Sequence, residues 1–103
     1  MAQWTRVCGR SQAPAAGEVC AMEVSGVAVC LANIDGHFHA LDNVCPHRGA
    51  PLGEGTVEDG AVVCPWHAWM FSVTTGEALP PEHGQVSVFP VMVEGEDVLV
   101  DLG

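Results

Sequence analysis

Two short segments of the chain each combine a cysteine with a histidine. The first has the pattern C-x-H, at Cys45 and His47, and the second has the pattern C-x-x-H, at Cys64 and His67. Within each segment the thiolate and the imidazole are close enough along the chain to reach one metal centre. Thiolates and imidazoles are ligands of structural zinc sites and also of some iron–sulfur clusters. The four residues therefore predict a metal centre held by two loops.

A predicted hairpin lies between the two segments. Sixteen residues, 48 to 63, separate His47 from Cys64. Within this spacer, Thr56–Glu58 and Ala61–Val63 flank the dipeptide Asp59-Gly60. Asp-Gly between apolar runs is a strong hairpin signal, because a type I′ turn needs positive φ at both central residues. The hairpin would return the chain, so we expect the two loops to face each other.

The rest of the chain has the pattern of an all-β protein. Short apolar or alternating runs are separated by turn dipeptides such as Ser25-Gly26 and Asp35-Gly36. Scattered glycines and prolines leave few windows that could sustain three helical turns. Pro90 lies inside an apolar run and indicates an edge strand or a bulge. The other predicted strands are Val19–Val24, Val27–Ile34, His37–Leu41, Val86–Val93 and Val98–Asp101. The pattern predicts a small antiparallel β-sandwich or barrel with one inserted hairpin.

Length and charge restrict the possible functions. The 103 residues fit one domain, 1–103, and no apolar stretch approaches the roughly 20 residues of a membrane span. The N-terminal sequence does not resemble a signal peptide, so we expect a cytoplasmic protein that is not bound to a membrane. The formal net charge of −10 would repel nucleic acid. It favours docking to a basic partner protein, although acidity also keeps a small domain soluble without any partner.

The chain contains five cysteines, and an odd number resists complete pairing into disulfides. In a cytosolic protein such a set indicates metal or redox chemistry before it indicates disulfides. Cys8, Cys20 and Cys30 have no other ligand-type residue beside them. We expect these three to be small buried apolar side chains rather than ligands.

The segment around the two cysteine–histidine motifs resembles the Rieske iron–sulfur family. The resemblance includes C-x-H, a spacer of this length and C-x-x-H, together with the surrounding residues 43–52 and the sequence Thr75-Gly76-Glu77. It is sharp over about residues 35–79. The resemblance implies a Rieske-type β fold with a cluster-binding subdomain at about 42–79 and one [2Fe–2S] cluster per chain.

The same resemblance implies the ligand set. Cys45 and Cys64 would bind one iron of the cluster, and His47 and His67 would bind the other. Two neutral imidazoles in place of two thiolates remove two negative charges, so the cluster accepts an electron more easily than a four-cysteine cluster does.

Departures from the high-potential members of the family indicate a low reduction potential. Those members carry an extra cysteine in each loop, which together form a disulfide, where this chain has Ala50 and Trp66. They also carry a serine and a tyrosine that donate hydrogen bonds to sulfur, where this chain has Trp69 and Phe71. Hydrogen bonds to sulfur stabilise the reduced, more negative cluster, so the loss of these bonds lowers the reduction potential. We therefore expect a potential toward the lower end of the Rieske range, about −150 to +300 mV.

The resemblance implies an electron-transfer component rather than an enzyme. Ferredoxins of ring-hydroxylating dioxygenase systems have this size, acidity and loop type. The expected partners are a flavin- or iron–sulfur-containing reductase and a terminal oxygenase, with a monomeric carrier between them. One alternative is the small subunit of an NAD(P)H-dependent nitrite reductase. A second is a non-catalytic regulatory or structural module, in which the four ligands hold zinc or a cluster without electron transfer.

Overall fold

The computed structural model describes residues 4–45, 49–66, 68–80 and 82–102. Within these ranges the chain forms ten strands and two 3-10 helices, with no α-helix and no helix that has the length and hydropathy of a membrane span. The strands are β1 (Trp4–Gly9), β2 (Val19–Val24), β3 (Val27–Ile34), β4 (His37–Asp42), β5 (Thr56–Glu58), β6 (Ala61–Val63), β7 (Met70–Ser72), β8 (Val88–Phe89), β9 (Val91–Glu94) and β10 (Asp97–Asp101), and the 3-10 helices are Arg10–Gln12 and Leu52–Glu54. All the strand pairings in these sheets are antiparallel. The predicted all-β antiparallel fold class is confirmed.

Seven strands form two sheets that share one apolar core. One sheet has the strand order β2-β3-β4-β8 and the other has the order β1-β10-β9. Val29 and Leu31 of β3 belong to the same buried cluster as Val98 and Val100 of β10, and all four side chains are fully buried. Side chains two residues apart point to the same face of a strand. The apolar faces of the two sheets therefore pack against each other.

A third, smaller sheet is inserted in the chain between β4 and β8. Its order is β5-β6-β7. Val62 of β6 and Phe71 of β7 are fully buried in a second core cluster, which also contains Leu41 of β4. This shared core joins the small sheet to the larger one. The first cysteine-bearing segment lies between β4 and the 3-10 helix Leu52–Glu54, and the second lies between β6 and β7.

The two-residue turns have the geometry that their sequences predict. Ser25-Gly26 has φ values of 51° and 81°, Asp35-Gly36 has 54° and 89°, and Asp59-Gly60 has 49° and 74°. Positive φ at both central residues is the requirement of a type I′ hairpin. The predicted hairpin Thr56–Glu58 to Ala61–Val63 is also confirmed, with Glu58 paired to Ala61.

The single strand predicted at Val86–Val93 is wrong. The structure divides this segment at Pro90 into β8, which pairs with β4, and β9, which pairs with β10. Proline has no N–H for a sheet hydrogen bond and fixes its own φ, so a continuous central strand cannot pass through it. The carbonyl oxygen of Pro90 still accepts a hydrogen bond from the N–H of Asp101 (3.0 Å). Pro90 is thus where the chain crosses from one sheet to the other.

Candidate metal centre

The first cysteine lies in a turn closed by two backbone hydrogen bonds. The N–H of Cys45 donates to the carbonyl oxygen of Ala50 (2.9 Å), and the N–H of Gly49 donates to the carbonyl oxygen of Cys45 (2.8 Å). Gly49 has φ +73°, a conformation that costs glycine little. The side chain of Cys45 is 1% exposed. The turn therefore holds this thiol against the protein interior.

Asn43 connects this first loop to the rest of the fold through hydrogen bonds. Its side-chain oxygen accepts a hydrogen bond from the N–H of Gly53 (2.6 Å), and its carbonyl oxygen accepts one from the N–H of Leu52 (2.8 Å). Its own N–H donates to the carbonyl oxygen of Ala28 in β3 (3.0 Å). Asn43 is 8% exposed, so these bonds are shielded from water. The sequence motif contains Asn43 but does not indicate this role.

The second cysteine lies in a turn with the same backbone hydrogen bonds. The N–H of Cys64 donates to the carbonyl oxygen of Trp69 (2.7 Å), and the N–H of Ala68 donates to the carbonyl oxygen of Cys64 (3.1 Å). Ala68 has φ +58°. In both loops the cysteine N–H bonds to the carbonyl five residues later, and the cysteine carbonyl bonds to the N–H four residues later. Cys64 is also 1% exposed.

The structure brings the two predicted cysteine ligands into one core. Cys45 and Cys64 belong to the same buried cluster, together with Leu52 and Phe71. The two turns follow β4 and β6, strands that contribute Leu41 and Val62 to this same cluster.

The two predicted histidine ligands lie outside the described residues. His47 falls between Cys45 and Gly49 in the first turn, and His67 falls immediately before Ala68 in the second. In the part of the chain that the structure describes, no group of three or more histidine, cysteine or acidic side chains could hold a metal ion. The donor set nevertheless fits a Rieske cluster, since each matching turn holds one buried cysteine and contains one histidine.

The side chains around the two turns provide no hydroxyl at the positions where high-potential family members have one. Trp69 packs beside Phe71 with ring centroids 6.4 Å apart, and Phe71 is fully buried. Ala50 is fully buried as well. Trp66 lies in the second turn, and 58% of its surface is exposed.

Of the three remaining cysteines, Cys8 lies in the other core cluster and Cys20 packs against it, whereas Cys30 shares the buried cluster of Cys45 and Cys64. Cys8 and Cys30 are buried, as expected, whereas Cys20 is only half-buried. Burial raises the pKa of the Cys30 thiol to about 12, and burial also raises the pKa of Cys8 and of Cys20. A protonated thiol is a poor metal ligand. Their environment agrees with the expectation that they are structural side chains.

Comparison with known proteins assigns the family. Residues 3–90 match the model of the Rieske [2Fe-2S] domain. The chain is 40% identical over 85 residues to the ferredoxin component of the alkene monooxygenase system of Xanthobacter autotrophicus, covering 82% of this chain and 70% of that protein. It is 42% identical over 88 residues to the 3-phenylpropionate/cinnamic acid dioxygenase ferredoxin subunit of Shigella flexneri, covering 84% and 82% respectively.

A solved structure has the same fold. It is a chain from the complex of reduced oxygenase and oxidized ferredoxin in carbazole 1,9a-dioxygenase, with a TM-score of 0.84 and 29% identity over 95% of this chain and 92% of that one. The family match, the relatives and this structure all agree with an iron–sulfur site at the two cysteine turns. The chain belongs to the Rieske [2Fe-2S] family, and its cofactor is a [2Fe–2S] cluster.

Proposed function

We propose that this protein is a one-electron carrier that passes electrons from a flavin- or iron–sulfur-containing reductase to a terminal oxygenase. The observation that carries the proposal is the pair of matching turns, which bury one cysteine each in the same core cluster. The relatives support it, because they are ferredoxin components of oxygenase systems. The protein itself performs no substrate chemistry and acts as one part of a multicomponent system.

We propose Cys45, His47, Cys64 and His67 as the ligands of the cluster. Cys45 and Cys64 would bind one iron, and the two histidines would bind the other. The cluster supplies a reversible one-electron couple. The domain arrangement that accompanies this proposal is a single domain, 1–103, with the cluster-binding subdomain at about 42–79.

The chain's own residues protect and orient the cysteine side of this site. Both thiols are 1% exposed, so water has little access to the sulfur atoms. The hydrogen bonds from Gly49 and Ala68 fix the two cysteine carbonyls and hence the direction of each turn. No hydroxyl at Trp69 or Phe71 adds a hydrogen bond to sulfur, which supports a potential toward the lower end of the Rieske range.

The acceptor that we propose is an oxygenase rather than a nitrite reductase. The relatives described above are named for monooxygenase and dioxygenase systems, and the solved complex contains an oxygenase with its ferredoxin. A net charge of −10 favours rapid, salt-sensitive association with a basic surface. We propose that the carrier is a cytoplasmic monomer that docks on reductase and oxygenase in turn.

Stopped-flow mixing tests this function. The dithionite-reduced protein, freed of excess dithionite, is mixed anaerobically with a purified terminal oxygenase from the same genome, and the cluster absorbance of each protein is followed. Rapid reoxidation of the carrier with stoichiometric reduction of the oxygenase is expected, and the rate should fall as salt is added. Transfer to a nitrite reductase but to no oxygenase would contradict the proposed acceptor.

A further inference from the structure

A groove of about 590 Å³ lies beside the second cysteine turn. One wall comes from the 3-10 helix Leu52–Glu54 and the start of β5, and it includes Glu54 and Thr56. The other wall comes from the end of β6 and the second turn, and it includes Cys64 and Trp66. The groove therefore adjoins the proposed cluster-binding site and shares one of its proposed ligands, Cys64.

Trp66 is unusual among the aromatic side chains of this subdomain. It is 58% exposed, whereas Phe71 is fully buried and Trp69 is half-buried against the core. A tryptophan contributes a large apolar area when it is buried, so leaving most of it in water forgoes stability. Trp66 is one of the residues that line the groove. Such a ring is typical of a contact surface, because tryptophan is enriched among the residues that dominate binding energy at interfaces.

The charge of the groove is negative. Glu54 is exposed and is the acidic residue that lines it, and no basic residue is among the described residues that line it. The two arginines that the structure describes lie in or directly after β1, and Arg6 pairs there with Asp97 at 2.8 Å. Glu58, at the other end of β5, is exposed as well. The lining therefore combines an aromatic face with a carboxylate.

An arginine side chain matches both features. Its planar guanidinium stacks on aromatic faces and pairs with a carboxylate through two parallel hydrogen bonds, which an ammonium group cannot do equally well. We propose that the groove between Glu54 and Trp66 receives an arginine side chain of the terminal oxygenase, which holds the partner beside the second cluster-binding turn. The identity of the partner rests on the proposed function, whereas the preference of the groove for a guanidinium group does not.

The probe for the test is N-acetyl-arginine amide, with the neutral isostere N-acetyl-citrulline amide as its control. Oxidised protein with its cluster is labelled with 5-fluorotryptophan, and the fluorine resonances of its three tryptophans are assigned from single Trp→Phe variants. Each compound is titrated at constant ionic strength. A saturable shift of the Trp66 resonance is expected with the arginine compound, with smaller shifts at Trp4 and Trp69. The citrulline compound should produce no saturable shift.

Two charge-matched variants test the role of Glu54. Glu54→Gln should weaken the association with the arginine compound about threefold, the range of an exposed ion pair. Glu58→Gln removes the same charge from β5, outside the groove lining, and should leave the association unchanged. Equal weakening by both variants, or equal responses to arginine and citrulline compounds, would overturn the proposal. The titration involves no electron transfer, so a carrier that fails it loses only this inference.

Discussion

Gly49 and Ala68 occupy equivalent positions in the two cysteine turns. Each lies four residues after its cysteine, donates its N–H to that cysteine's carbonyl oxygen, and has a positive φ, +73° and +58° respectively. The two turns are therefore one backbone motif used twice. The histidine occupies the second position after Cys45 but the third after Cys64. The different spacings C-x-H and C-x-x-H thus fall within turns that share the same hydrogen bonds.

This equivalence predicts opposite effects of two substitutions. Gly49→Ala should destabilise the protein by about 1–2 kcal/mol, because a Cβ is unfavourable at positive φ even though, among the described residues, it would meet only Val44, at 4.0 Å. Ala68→Gly should relieve the same strain and leave stability unchanged or raise it by up to about 1 kcal/mol. Thermal unfolding of the cluster-containing variants measures both effects.

A glycine with ordinary backbone geometry supplies the control for that pair. Gly9 has φ −80°, which any residue adopts, and its nearest neighbours would remain at ordinary contact distance from a Cβ. Gly9→Ala should therefore cost less than Gly49→Ala. The reverse order would show that positive φ is not what limits substitution in the first turn.

Asn43 should control how long the first loop keeps the cluster. Asn43→Ala leaves the buried N–H of Gly53 without its acceptor, which costs about 1–3 kcal/mol and loosens the loop that follows β4. Faster loss of cluster absorbance at 37 °C is the expected result. Asn33→Ala is the matched control, since Asn33 is also buried and accepts a hydrogen bond from Gly36 (2.8 Å) in a turn outside the cysteine loops. Equal rates of cluster loss in both variants would show that Asn43 stabilises the fold in general and has no specific effect on the cluster.

Gly55 should tolerate no side chain. A Cβ at this position would clash with the carbonyl oxygen of Val63, across the start of the β5–β6 hairpin. Because the obstacle is backbone, Gly55→Ala should separate the two strands that position the cysteine turns and yield protein with little cluster. Gly60→Ala, at the tip of the same hairpin, meets no atom within 4 Å and carries only the cost of its φ of +74°. Iron content of the two purified variants compares them, and normal loading of Gly55→Ala would contradict the clash.

The pKa of Cys30 predicts how its reactivity depends on pH. Burial raises that pKa to about 12, so the thiol stays protonated through pH 10, where an ordinary cysteine is mostly ionised. Since the thiolate is the nucleophile, alkylation of Cys30 by iodoacetamide at pH 10 should be about a hundredfold slower than that of N-acetylcysteine. Peptide mapping of protein whose cluster absorbance is intact measures the rate. Labelling of Cys30 at the rate of the free amino acid would show that the strand opens readily.

Local sequence signals predicted the parts of this fold that depend on neighbouring residues. The turns Ser25-Gly26, Asp35-Gly36 and Asp59-Gly60 could be predicted from residue types that accept positive φ. The strands beside them could be predicted from their apolar or alternating runs. β1 was not predicted, because its pairing register with β10 shifts between Arg6 and Cys8 and interrupts the alternation of side chains. β7 has three residues and exists through its pairing with β6, which no local pattern reveals.

In the candidate site, too, local features could be predicted and long-range contacts could not. Cys45 and Cys64 could be proposed as ligands because residue type and spacing are visible in the sequence. The hydrogen bonds of Asn43 could not, since they depend on residues nine and ten positions later and on β3. The exposure of Trp66 could not be predicted either, because the direction of a loop side chain depends on the turn that carries it.

Composition and spectroscopy of the purified protein test the central claim most directly. The protein, isolated anaerobically, is assayed for iron, zinc and acid-labile sulfide, and its EPR spectrum is recorded after dithionite reduction. We predict two irons and two sulfides per chain, as a [2Fe–2S] cluster contains, and the low average g-value of a cluster with histidine ligands. One zinc per chain, without sulfide or an EPR signal, would contradict the account and leave a structural metal module.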